Sequence, residues 1–150
     1  VGLLSDENRE VRLKIPGLLP LIDGLDPAEK LLEQHKVEKD DEVKTEIFVA
    51  LGVVCSSPAK VSTDRRRQVL QLAGEYLVEP DPKKSQRGAQ VIRKLLQGNA
   101  LPSESSGKYL GMLAERYAQE KDKADGTLRA ALLDTMAGQA FRGFVSRVID

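Results

Sequence analysis

The stretch Asp40-Asp41-Glu42-Val43-Lys44-Thr45-Glu46-Ile47-Phe48-Val49-Ala50-Leu51-Gly52-Val53-Val54 decides the fold. An acid opens it, a Val-Lys pair follows, and apolar residues recur at 43, 47, 50, 51 and 54. That spacing puts them on one face of an α-helix, not on a strand, where they would alternate. Working outward, the same pattern returns twice. Asp6-Glu7-Asn8-Arg9-Glu10-Val11-Arg12 leads into Ile15, Leu18 and Leu19, and Asp125-Gly126-Thr127-Leu128-Arg129 leads into Leu132 and Met136. Moving 43, 47 and 51 back by 32 gives 11, 15 and 19, and moving them forward by 85 gives 128, 132 and 136. The longer gap leaves room for one more unit at a spacing of about 40 residues, a period of helical repeat proteins. That unit is the segment 82–97, where the pattern is degenerate: Gly88 and Ile92 take the places of Val43 and Ile47, and no Val-Arg pair precedes them.

An acid, a few polar residues, a Val-Arg pair and an apolar helix resemble the second helix of a HEAT repeat. The resemblance covers nearly the whole chain. It implies an all-α fold, a right-handed α-α superhelix of stacked antiparallel helix pairs. Residues 1–150 would form one domain of three to four pairs. The long polar turn before Asp40 and Pro16 in the first unit depart from the family pattern and blur the repeat boundaries. Val1 in place of a methionine, with a start on a second helix and an end inside a first one, points to a piece of a longer protein.

The remaining elements follow from caps and breakers. A helix from near Glu7 is expected to carry Val11, Ile15, Leu18, Leu19 and Ile22 inward, with a kink or break at Pro16. Asp23-Gly24 would end it. Asp26-Pro27-Ala28-Glu29 restarts the chain with a capping box and a first-turn proline, burying Leu31 and Leu32, with His35 at the helix surface or half-buried. Ser56-Ser57-Pro58 stops the Asp40 helix. Thr63 or Asp64 caps a helix with the stripe Val69, Leu72, Ala73, Tyr76 and Leu77. Pro80-Asp81-Pro82 opens the helix 82–97, which turns Ala89, Ile92, Leu95 and Leu96 inward. Pro102-Ser103-Glu104 opens a helix with Leu110, Leu113, Ala114 and Tyr117 inside, and the Asp125 unit runs to near Gly138. A further helix begins within Phe141 to Ile149.

Composition narrows the function. The 23 basic residues cancel the 23 acidic ones, so no general attraction to nucleic acid or an anionic membrane arises. No apolar run approaches the length of about 18 residues that a membrane span needs. Cys55 is the one cysteine, which excludes an internal disulfide and favours a buried apolar role and, weakly, a cytoplasmic setting. His35 is the one histidine and has no second ligand at metal spacing. There is no Gly-x-Ser-x-Gly turn and no Gly-rich phosphate loop. The carboxylates cluster with lysines in turns, as on a solvated edge. These patterns give no basis for an enzyme, a cofactor or a metal.

Arg12, Lys44 and Arg129 hold the same place in their units, and the HEAT resemblance implies that they pair with acids of neighbouring units as a structural ladder. The second helices of a solenoid line its concave side. On the Asp40 helix the positions opposite the core are Thr45, Val49 and Gly52, matched by Gln90 and Lys94 and by Ala130 and Asp134. A solvent face is normally rich in Lys and Glu. This low-charge stripe of small residues would accept a close-packed partner, unless tight solenoid packing alone demands them. The sequence therefore reads as a non-catalytic scaffold that binds another protein or a peptide segment. The alternative is a nucleic-acid-binding module of the HEAT-like DNA-repair type, which would want clustered Arg or Lys and aromatics on that face.

Overall fold

A computed structural model describes residues 2–22, 26–56, 61–97 and 106–137. The described residues form helices and turns, with no strand among them. Seven α-helices follow one another: α1 (Arg9–Leu18), α2 (Ala28–Val37), α3 (Asp41–Cys55), α4 (Thr63–Leu77), α5 (Pro82–Gln97), α6 (Ser106–Glu120) and α7, residues 127–137. Short 3-10 turns cover Gly2–Ser5 and Leu19–Leu21.

The helix starts show why the chain folds this way locally. Asn8 caps α1 through a bond from the Glu10 amide, and Asp40 caps α3 by accepting from the amides of Glu42 and Val43. The Asp26 carboxylate accepts from the Ala28 amide at the start of α2. Each oxygen satisfies amides that the first helical turn leaves without a partner. The cap of α4 is Ser62, one residue before the expected Thr63 or Asp64. Helix α1 does not break at Pro16. It runs on to Leu18 with Pro16 buried, then tightens into the 3-10 turn that contains Pro20.

Helix α3 is the hub, packing on α1, α2, α4 and α5. Val43, Ile47, Phe48, Leu51 and Cys55 are fully buried along it. Phe48 was not on the expected stripe. Its ring stacks on Tyr76 of α4 with centroids 4.1 Å apart. Four surrounding helices leave α3 only a narrow outer strip, Glu42, Glu46, Val49 and Val53, so a single-face reading of its sequence understates the core.

Helices α4 and α5 form the closest pair. Gly88 explains the approach, since a Cβ there would lie 2.7 Å from the Leu77 amide nitrogen and 2.8 Å from the Ala73 carbonyl oxygen. The Ser85 hydroxyl donates to the Leu77 carbonyl at 2.6 Å. Partners fall from Leu77 to Ala73 as α5 advances, so this pair is antiparallel. Helices α3 and α5 are parallel, because their first turns meet: Lys84 Nζ pairs with the Asp41 carboxylate at 3.3 Å.

Some expected core positions face outward. Leu18 and Ile22 are exposed, as is Ala114. At the end of α1 Leu19, not Leu18, is buried, and the tight turn beyond it takes Ile22 off the stripe that Val11 and Ile15 begin. On α6 the buried set is Tyr109, Leu113, Arg116 and Glu120. The expectations at Asp23-Gly24, Pro102 to Glu104 and Phe141 to Ile149 lie outside the described residues.

Candidate functional site

Where the first turns of α3 and α5 face each other they enclose a cleft of about 480 Å³. Asp41, Glu42, Thr45 and Glu46 line it from α3, and Asp81, Lys83, Lys84 and Arg87 line it from the start of α5. One wall is acidic and the other basic. A smaller cleft of about 210 Å³ adjoins it at Lys83, between the starts of α5 and α7, and includes Gln86, Lys123, Asp125 and Thr127. The N-terminal turns of α3, α5 and α7 therefore share one edge of the molecule.

Ion pairs tie that edge together. Arg9 of α1 donates to the carboxylates of Asp40 and Glu42. The bond from Arg9, followed by those from the Val43 and Glu42 amides, holds the Asp40 carboxyl below its usual range. Lys84 reaches Asp41 across the first cleft. In the second, Lys123 pairs with Glu120 at 2.9 Å. The Asp81 and Asp125 carboxylates accept from the amides of Lys83 and Thr127.

Behind the acidic wall lies a small buried polar group. The Thr45 hydroxyl donates to the Asp41 carbonyl at 2.8 Å. Deeper in, Tyr76 Oη and His35 Nε2 share a hydrogen bond of 2.9 Å. Burial raises the Tyr76 pKa to about 12, so it stays protonated. Burial, assisted by the positive charge of Lys44, lowers the His35 pKa to about 4. His35 is thus more deeply buried than its place in the sequence suggested. Cys55 is fully buried, and burial pushes its thiol up to about 12. Among the described residues no three His, Cys, Asp or Glu side chains converge as a metal site.

The stripe read from the sequence divides in the structure. Thr45 lines the cleft, while Val49 and Gln90 are half-buried. Gly52 is not on an open face. It is buried under α5, where a Cβ would meet Val91 Cγ2 at 2.8 Å. The helical wheel put Gly52 opposite the core, but α5 covers that side, and glycine is there for close packing. Lys94, Ala130 and Asp134 are exposed, with Asp134 3.9 Å from Arg93 of α5.

Of the three ladder positions, Arg12 reaches an acid of the neighbouring unit as expected, and Lys44 and Arg129 do not. Arg12 pairs with Glu38 at 3.3 Å and donates to the carbonyls of Asp6 and Glu7. Lys44 pairs with no acid among the described residues. Arg129 donates to the Lys121 carbonyl in the preceding turn at 2.9 Å and reaches no acid of another unit. Cross-unit pairing is also made by Arg9 and Lys84, nearer the helix starts. A signal for this was present: the first turn of one long helix begins Asp41-Glu42 and that of the next Lys83-Lys84.

Sequence reading also missed Arg116. Its guanidinium is buried, donating to Ser85 Oγ and to the carbonyls of Glu79 and Pro80, and it pairs with Glu120 at 3.1 Å. One side chain thereby joins the end of α4, the start of α5 and α6. Among the described residues no helix is long and apolar enough to cross a membrane. No protein family, no curated protein and no solved structure matches the chain.

Proposed function

We propose that the chain is a HEAT-like α-solenoid module that binds a segment of another protein and catalyses nothing. The observation that carries this reading is the cleft between the first turns of α3 and α5, with opposite charge on its two walls. The packing supports the solenoid half of the proposal. Helix α3 touches α1 and α5, α4 touches α6, and α5 reaches the last helix through Arg93–Asp134 and through Thr135, which donates to the Ala89 carbonyl. Such contacts are those that a layer of odd helices and a layer of even ones would make in a superhelix of helix pairs. A binding role suits a cleft that keeps unmatched charge on both walls, since complementary charges steer and orient a partner. The protonated Tyr76, the depressed His35 and the buried Cys55 offer no base or nucleophile poised near neutral pH.

The test uses Glu46→Cys. Cys55 is buried, so a bulky maleimide label will react selectively at position 46 and fill the cleft. A random peptide library displayed on phage is selected against the unlabelled protein. Selected peptides should lose binding to the labelled protein, and short duplex DNA should bind neither form. Peptides that bind both forms equally would move the binding surface elsewhere. Duplex binding with a steep salt dependence would favour the nucleic-acid alternative.

A further inference from the structure

The charge layout of the cleft defines the kind of segment that fits it, and this inference rests on the binding role proposed above. Glu42 and Glu46 stand four residues apart on α3, and Lys83 and Arg87 stand four apart on α5. Each pair projects from one side of its helix. Four residues of helix rise about 6 Å. Alternate residues of an extended chain lie about 6.6 Å apart on the same side, and the residues between them point to the opposite side. An extended segment laid along the cleft would therefore meet both walls in register, its odd residues on one wall and its even residues on the other.

The internal pairing decides which charges are left to be matched. Asp41 is taken by Lys84, Glu42 by Arg9, and the Asp81 carboxylate by a backbone amide. Arg87 donates to the neutral Gln90 side chain. Glu46, Lys83 and Arg87 have no oppositely charged partner among the described residues. They ask for an acid at Lys83, a base beside Glu46 and an acid at Arg87. We infer that the cleft between α3 and α5 docks an extended segment of a partner protein in which acidic and basic residues alternate. The Lys84–Asp41 bridge, which spans the cleft, holds the walls at a fixed separation before the segment arrives.

Two labelled peptides test this: one of alternating Glu and Lys, and its block isomer with all Glu before all Lys. They share composition and net charge, so only pattern separates them. Fluorescence anisotropy at low salt should show the alternating peptide binding about tenfold or more tightly than the block isomer. The variant Lys83→Glu/Arg87→Glu makes both walls acidic. It should lose the alternating peptide and gain oligo-lysine, while its circular dichroism spectrum and melting temperature stay near wild type. Equal binding of the two isomers, no binding of the alternating one, or its unchanged binding to the variant would each overturn the inference. So would a wild-type dimer that the variant breaks, because a second copy would then be the occupant. If library peptides still depend on an open cleft while the alternating peptide does not bind, the inference fails and the binding role stands.

Discussion

Burial of His35 has a consequence that can be measured as pH falls. Its pKa drops from 6.5 to about 4 in the folded chain, chiefly through burial and secondarily through the charge of Lys44. The facing polar group is the Tyr76 phenol, which stays protonated throughout this range. Between pH 6.5 and 4 the unfolded state binds a proton that the folded state refuses. Stability contributed by neutral His35 is thus complete above pH 6.5 and is lost as pH falls toward 4, a total of about 3 kcal/mol. Urea midpoints measured across that window should fall in wild type and fall less in His35→Gln. Parallel curves would show that another group governs the acid limb. Glycines divide just as sharply. An alanine methyl at Gly111 meets nothing within 4 Å, so Gly111→Ala should stabilise by about 0.5–1 kcal/mol through helix propensity. At Gly88 the methyl would strike backbone of α4, and Gly88→Ala should cost about 1–3 kcal/mol. Thermal melts of the two variants should move in opposite directions.

At the scale of elements, α6 is held by one buried cation as well as by its apolar stripe. Removing the Arg116 guanidinium leaves the buried Glu120 carboxylate with less compensation, takes a donor from the Ser85 oxygen, and cuts the ties to the Glu79 and Pro80 carbonyls. Arg116→Met should therefore cost about 3–5 kcal/mol, with chemical denaturation as the readout. Arg116→Lys should recover only part of it, since a single ammonium cannot copy the planar fork. This element also shows where sequence reading stops. The 3.6-residue period located α3 and α5 within a residue or so, because caps and prolines mark their ends. The same period treats a buried arginine as solvent-facing, and so passed over Arg116. It also treats each helix as one-sided. For α5 that works, but α3 packs against four neighbours, which is why Phe48 falls outside the expected stripe and Gly52 is expected on the wrong side. The cleft was half legible: Thr45 was singled out, and the opposed charges of 41–42 and 83–84 were in view. What no periodicity could supply was that two helix starts separated by some forty residues stand side by side.

For the molecule as a whole, the proposed solenoid stack makes a prediction that a closed bundle does not. In a repeat stack each pair touches only its neighbours, so stability is nearly a sum of local terms, and damage at one end stays local. Leu51 and Leu132 are both fully buried leucines, but Leu51 lies on the hub helix α3 and Leu132 on α7. Replacing either by alanine removes the same atoms and should cost about 2–5 kcal/mol. The difference lies in where the cost appears. Native-state hydrogen exchange of Leu132→Ala should show lost protection in α6, α7 and the facing side of α5, with α1 to α3 near wild type. Leu51→Ala should lower protection from α1 through α5, because α1, α2, α4 and α5 all pack on α3. If both variants lower protection evenly along the chain, the helices unfold as one cooperative unit, and the solenoid reading gives way to a compact bundle in which the cleft is one groove among several.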